Sequence, residues 1–235
     1  MDKRKRNIVT QYILISILGI IIVAMVVHIL SRIRFNEDII LSSDPTVIDN
    51  PLMGYAPDAS NTKLCEKSNL VFITVKWDEW EPEEGVFDIE GLEERYHIAE
   101  WKEQNKHAVI RFMCDIPGDS KHYDIPKWLL DKTNDGTYYN TDYGKGYSPN
   151  YSNEAFLKYH KRAIEKLAEY CNQDYFVSFV ELGSVGHWGE WHAKDANHVN
   201  LMPDSEICKE YVSHYQDVFT NAILLTRRNY DFSVD

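Results

Sequence analysis

The chain has 235 residues, with 25 basic against 37 acidic side chains and with 15 Tyr and 6 Trp. That length admits one large domain or two small ones and is ample for a core, and so many aromatic rings must either fill that core or line a surface groove. Beyond residue 32 the balance is 20 basic against 36 acidic side chains, an acidic surface that argues against nucleic acid and against docking on anionic lipid.

The amino terminus reads apart from the rest. Lys3, Arg4, Lys5 and Arg6 precede a stretch from Asn7 to Ser31 without one charged residue, and a bilayer-crossing helix needs ~20 such residues. No small-x-small cleavage pattern follows before Arg32, and the basic cluster points to a cytoplasmic amino terminus. The expectation is a cytoplasmic tail and signal anchor over residues 1–32. It touches the cell membrane through residues 7–31, crosses it once and leaves the main domain extracellular. A removed signal peptide is the alternative. Residues 33–49 are polar and aperiodic, as in a linker or stalk.

From residue 50 onward, Asn50 to Tyr55 reads as a turn into a short strand and Asp58 to Ser68 as loop. Leu70 to Lys76 is the first clear strand, and Trp77 to Asp88, punctuated by Pro82 and Gly85, is loop. Leu92, Tyr96, Ile98, Ala99 and Trp101 recur at roughly helical spacing and predict one helix from Ile89 to Lys106. His107 to Met113 is a second buried strand, running into Cys114 and Asp115. A loop then extends to about Ser152, ordered only by a turn at Pro126 to Leu130, and loops of that length are usually functional. Asn153 to Cys171 predicts a helix with Phe156, Tyr159, Ala163, Leu167 and Tyr170 on its buried stripe and Ser152 as its cap.

Tyr175 to Val180 is β-branched and aromatic with no charge, which suits a strand buried on both faces. Glu181 to His192 follows at once, with three glycines (Gly183, Gly186, Gly189) among two carboxylates, two histidines and two tryptophans. A buried strand ending in such a cluster is how α/β enzymes build sites; a compact loop without chemistry is the alternative. A helix from about Asp204 to Thr220 and an apolar run from Ala222 to Leu225 complete the pattern. Strands alternating with helices predict an α/β fold of parallel strands with right-handed crossovers. Each long polar loop follows the carboxyl end of a strand, so the expected fold is a parallel (β/α) barrel of TIM type. Cys65, Cys114, Cys171 and Cys208 lack the spacing of a zinc site and read as buried free thiols, with disulfides as the alternative.

Several motifs carry a resemblance. Trp77 to Asp88, with Glu81-Pro82-x-Glu84-Gly85-x-Phe87-Asp88 at its core, resembles the loop after the second strand in the large retaining clan of (β/α)8 glycoside hydrolases, β-galactosidase-like members above all. Arg111, Pro126-x-Trp128-Leu129 and Tyr147-Ser148-Pro149-x-Tyr151-x-Asn153 are similar to that group as well. A narrower match joins Ile125-Pro126-x-Trp128, Ser148 to Tyr151, and Gly186-His187-Trp188-Gly189-Glu190-Trp191-His192. These resemble bacterial proteins with domain of unknown function 4832, a group with a glycosidase-like barrel. The resemblance covers about residues 50 to 230 and implies a carbohydrate substrate.

Two departures stand out. In the clan the acid/base Glu follows an Asn at the end of strand four, whereas Val180 precedes Glu181 here, so Glu181 and Glu190 both stay open for that role. The clan's nucleophile comes from strand seven. A (β/α)8 barrel takes ~250 residues, more than residues 50–235 supply, so the expectation is an incomplete barrel of about five strands from a truncated product or gene fragment.

Glycoside hydrolysis needs two carboxyl groups across the scissile bond, one of them able to hold a proton. Glu190, between Trp188 and Trp191, is the candidate acid, because burial against aromatic rings disfavours the ionised form; a structural Glu bonded to loop amides is the alternative. Glu181 is the second candidate, against a plain salt bridge with Arg111. Trp77, Trp80, Trp128, Trp188 and Trp191 are read as sugar-stacking platforms or as core, and Trp101 as core. Arg111, Asp115, Tyr147, His187 and His192 are read as polar substrate contacts. Neither histidine has the spacing of a zinc helix, and Asp131 to Asp142 follows the calcium-loop pattern only in part, reading as a polar turn. No metal or cofactor is expected. The sequence thus predicts a membrane-anchored extracellular glycoside hydrolase-like protein that acts on or binds carbohydrate, with a non-catalytic glycan-binding or structural surface module as the alternative.

Overall fold

The computed structural model describes residues 15–28, 50–227 and 230, and the chain divides into two units, Met1–Ile48 and Asp49–Asp235. In the first unit, residues 15–28 form a helix, α1, whose apolar side chains stand exposed. No helix among the described residues is long and apolar enough to cross a membrane. Both flanks of the expected 7–31 span, the basic tail and the 33–49 stalk lie outside the described residues.

The second unit runs α2 (Thr62–Cys65), β1 (Leu70–Lys76), α3 (Trp77–Trp80), α4 (Ile89–Arg95), α5 (Ile98–Glu103), β2 (His107–Met113), α6 (Lys127–Thr133), β3 (Thr137–Thr141), β4 (Gly144–Ser148), α7 (Glu154–Cys171), β5 (Val177–Glu181), α8 (Ser205–Val218) and β6 (Ile223–Leu225). Strands β1, β2, β5 and β6 lie side by side in that order and pair in parallel. This is the α/β architecture expected, with four parallel strands among the described residues instead of about five. Among the described residues nothing joins β6 back to β1 to close a barrel. The segment expected to give an extra strand, Asn50 to Tyr55, is an exposed turn. Its place beside β1 is taken by Asp58, where the Phe72 amide donates to the Pro57 carbonyl (2.7 Å) and the Ala59 amide to the Phe72 carbonyl (2.8 Å).

One face of the sheet is apolar and fully covered. Val71, Ile73 and Val75 of β1, Ala108, Ile110 and Phe112 of β2, and Val177 and Val180 of β5 are all buried there. Val177 and Val180 are three apart yet share that face, because a bulge between Ala108 and Val109 inserts Ser178 as an unpaired residue. Trp77 packs against Phe112 (5.6 Å between ring centroids) and Phe156 (5.2 Å), and Trp80 donates its indole N–H to the Ala163 carbonyl (3.2 Å). Trp77 and Trp80 thus belong to the core: the first turn of the expected Trp77 to Asp88 loop is the helix α3.

The helix expected over Ile89 to Lys106 is broken, since His97 takes a left-handed backbone (φ 51) between α4 and α5. The break lets the Tyr96 hydroxyl reach the Thr74 carbonyl (2.6 Å) while the Trp101 indole reaches the Ala59 carbonyl (3.1 Å). Helix α7 is capped by Asn153 rather than Ser152: its side-chain oxygen accepts from the amides of Ala155 (2.8 Å) and Phe156 (3.1 Å). The long loop before it holds α6 and the antiparallel hairpin β3–β4. Asp131 and Asp142 therefore sit on a helix and in a hairpin turn, and among the described residues no cluster of three or more His, Cys, Asp or Glu is placed to hold a metal. All four cysteines are free and buried.

Candidate functional site

Two rows of side chains cross the other face of the sheet. Phe72, Val109, Phe179 and Ile223 are register partners in the first, and Thr74, Arg111, Glu181 and Leu225 form the second, nearer the carboxyl ends. Residues two apart on a strand share a face, so Arg111 and Glu181 stand side by side on adjacent strands. The Arg111 guanidinium grips Glu181 through Nε and Nη2 and lies over the Phe72 ring, 5.3 Å from its centroid. Its remaining nitrogen, Nη1, donates to the Trp188 carbonyl (3.3 Å) and sits 3.6 Å from Glu190 Oε1. One guanidinium therefore joins the two candidate carboxylates.

The loop that delivers Glu190 is set by close packing. A Cβ at Gly183 would stand 2.2 Å from the Phe112 carbonyl oxygen, so only glycine fits where β5 passes β2 and the Ser184 amide donates to that carbonyl (2.7 Å). Ser184 then turns left-handed (φ 68), its hydroxyl held between His160 Nε2 (2.7 Å) and the Tyr215 hydroxyl (2.6 Å). Burial drives the His160 pKa well below the ordinary value, with His214 and Lys161 adding to the effect, so this ring is a neutral structural link.

His187 is fully buried. Its Nδ1 lies 2.9 Å from Asp115 Oδ2, and its Nε2 faces both the amide (3.2 Å) and the carbonyl (3.3 Å) of Lys194. The Tyr139 hydroxyl donates to the other Asp115 oxygen, and the Trp188 amide to the Asp115 carbonyl (2.7 Å). Asp115 and His187 are thus the fixings of the loop. With both carboxylate oxygens taken and no exposed surface, they are not the substrate contacts the sequence suggests.

Glu190 ends up facing cations. Arg227 pairs with its Oε1, and His192 Nε2 lies 3.5 Å from its Oε2. The sequence predicts an apolar wall of Trp188 and Trp191 here. Trp191 is instead turned into the core, donating to the Leu182 carbonyl (2.6 Å) with only 6% of its surface exposed. Trp188 is half-buried at the rim, where Tyr143 from the hairpin turn stands 5.8 Å from it and 5.8 Å from His192, centroid to centroid.

Arg111, Glu181, Glu190, Trp188 and His192 therefore converge, whereas Trp77, Trp128 and Tyr147 lie elsewhere. Trp77 donates to Glu81 Oε2 (3.0 Å) inside the core. Trp128 donates to the Glu81 carbonyl (3.1 Å) and stacks edge-on with Tyr159 between α6 and α7. The buried Tyr147 hydroxyl accepts from the Gly136 amide (2.8 Å). Sequence reading missed Tyr139, Tyr143 and Arg227. Tyr139 and Tyr143 belong to a hairpin hidden within a stretch read as loop. Arg227 stands at the carboxyl end of β6, a position that in a parallel sheet is itself a signal.

No protein-family model matches the chain, and no curated protein matches it. Solved structures similar to it include an endo-glycoceramidase II from Rhodococcus sp. (12% identity, TM-score 0.48, 73% of this chain and 44% of that one). A GH5_18 protein from Bifidobacterium longum subsp. infantis gives 14% identity and a TM-score of 0.48 over 72% of this chain and 36% of that one. An exo-β-1,4-mannosidase from Opitutaceae bacterium strain TAV5 gives 14% identity and 0.44 over 68% and 25%. The chain spans between a quarter and under half of the length of these structures. At such identities the likeness carries no activity across.

Proposed function

We propose that the carboxyl end of this sheet is a carbohydrate site of glycoside hydrolase-like design, in which Glu181 and Glu190 are the acting carboxylates. The observation that carries the reading is their convergence on Arg111 at the ends of adjacent strand and loop, beneath a rim formed by Trp188, Tyr143 and His192. Two neighbouring carboxyl groups that can flank a scissile bond are what cleavage of a glycoside demands, and a rim of aromatic faces beside charged hydrogen-bonding groups is suited to a pyranose ring. Arg111 fixes both side chains before any ligand arrives, which is the preorganisation a polar site needs.

A second reading, glycan binding without turnover, is favoured by the same ion pairs. Carboxylates held by guanidinium groups, Glu181 through Oε2 by Arg111 and Glu190 through Oε1 by Arg111 and Arg227, are well placed to orient a hydroxyl and poorly placed to deliver a proton. Glu181→Gln and Glu190→Gln separate the two. Under the hydrolytic reading one of them lowers turnover of a cleaved glycan on the order of a hundredfold or more while binding survives; bound glycan with no product from the unaltered protein selects the binding module. A protein that binds no glycan on a broad panel rejects both.

The same proposal extends to location. The uncharged run over residues 7–31 behind a basic cluster supports a membrane anchor with the second unit extracellular. Protease added to intact cells is expected to remove that unit; a fully protected chain would rule the orientation out.

A further inference from the structure

A pocket of about 450 Å³ opens beside the Glu190 loop, lined by Tyr143, Trp191, His192, Lys194, Asn200 and Met202 among others. That volume suits a single small ligand. The Lys194 ammonium lies 4.8 Å from the centroid of the Tyr143 ring and 3.3 Å from His198 Nδ1, and it makes no ion pair among the described residues. The carboxylates nearest in sequence are engaged elsewhere. Glu190 pairs with Arg111 and Arg227, and Asp195 Oδ1 accepts from the amides of Asn197 (2.8 Å) and Val199 (2.9 Å) within its own turn.

The Lys194 backbone is equally fixed, its amide donating to buried His187. In a chain with a large acidic excess, an ammonium held in a pocket by a ring face and an imidazole, with its charge unneutralised, marks where an anion belongs.

Resting on the carbohydrate reading above, we propose that this pocket takes an acidic sugar, with the sugar carboxylate on Lys194 Nζ and the apolar face of the pyranose against Tyr143 and Met202. A charge-assisted hydrogen bond from a partly desolvated lysine is worth enough to prefer the acid over its neutral counterpart on the order of tenfold.

The test uses the full chain in detergent micelles and an NMR titration with three matched pairs: D-glucuronate against D-glucose, D-galacturonate against D-galactose, and D-mannuronate against D-mannose. Members of each pair differ only at C6. At least one uronate is expected to bind about tenfold tighter than its hexose, with the preference shrinking at high salt, vanishing in Lys194→Gln and persisting in Lys194→Arg. Equal binding within every pair, or a preference untouched by Lys194→Gln in a protein whose circular dichroism is unchanged, overturns the acidic-sugar assignment and leaves the carbohydrate reading standing. Binding of neither uronate nor hexose overturns this assignment, and the broad glycan panel decides whether the carbohydrate reading falls with it.

Discussion

Asp115 takes both of its carboxylate oxygens into the interior, one to the Tyr139 hydroxyl and one to His187 Nδ1. A buried carboxylate is tolerable only when its lone pairs are filled, and here each partner comes from a different segment, the hairpin and the loop after β5. Burial first, and Asp115 second, push the Tyr139 hydroxyl well above the usual phenol range, so it remains a donor across any working pH. Replacing Asp115 by Leu strands a hydroxyl and an imidazole N–H out of water, at ~1–3 kcal/mol each. The unfolding free energy from urea titration is therefore expected to fall by roughly 2–5 kcal/mol, and Asp115→Asn, which keeps one acceptor, should lose less. An Asp115→Leu protein as stable as the parent would show that these bonds do not hold the loop.

At the scale of elements, the cap of α7 gives a sharp comparison between neighbours. Asn153 accepts two amide protons of the first turn and donates its own amide to Asp135 (2.8 Å), while Ser152 is not part of that arrangement. Asn153→Ala is expected to cost ~1 kcal/mol, as loss of a helix cap does, with Ser152→Ala near zero; chemical denaturation of the two variants reads the difference directly. Sequence reading found this helix but placed its cap one residue early, because Ser and Asn are both good caps and only the geometry of the preceding turn decides between them. The parallel strands were legible for a firmer reason: runs such as Leu70 to Lys76 and His107 to Met113 are short, mostly apolar and bounded by turn or loop residues. What stayed hidden depends on long-range fit. The left-handed His97 serves contacts to Thr74 and Ala59, and the hairpin β3–β4 is pinned by Gly118, whose amide and carbonyl both bond Lys145. In the site, Arg111 and Glu181 were legible as strand-end partners. The pairing of Glu190 with Arg227 was not, since nothing local ties the loop after β5 to the end of β6.

For the molecule as a whole, the segment after β2 couples stability to pH. His122 directs Nδ1 at the Ser120 carbonyl (2.7 Å) and Nε2 at the Ile116 carbonyl (2.8 Å). Carbonyls only accept, so both ring nitrogens must carry protons and the ring is an imidazolium. Burial opposes that charge, but the Ser120 and Ile116 carbonyls and the carboxylates of Asp124 and Asp115 outweigh it and raise the pKa. Asp124, 3.5 Å away, is itself pushed up to about 6, chiefly by burial, with Asp78 and Asp115 adding and the Ile116 amide and His122 opposing. Both groups have folded-state values above their unfolded ones, so the sign is common to both. The stabilisation is complete below the unfolded value, ~4 for an Asp and ~6.5 for a His, and is lost as pH rises through the folded value. Because Gly118 ties this segment to the hairpin that carries Tyr143, the clasp bears on the fold and on the rim of the site together. The melting temperature is expected to fall as pH rises, from about 4 to about 6 through Asp124 and above about 6.5 through His122, and to fall less above about 6.5 in His122→Gln, which cannot carry the charge. Equal slopes in the two proteins would mean that His122 is neutral in the folded state and that the segment is held by something other than this ring.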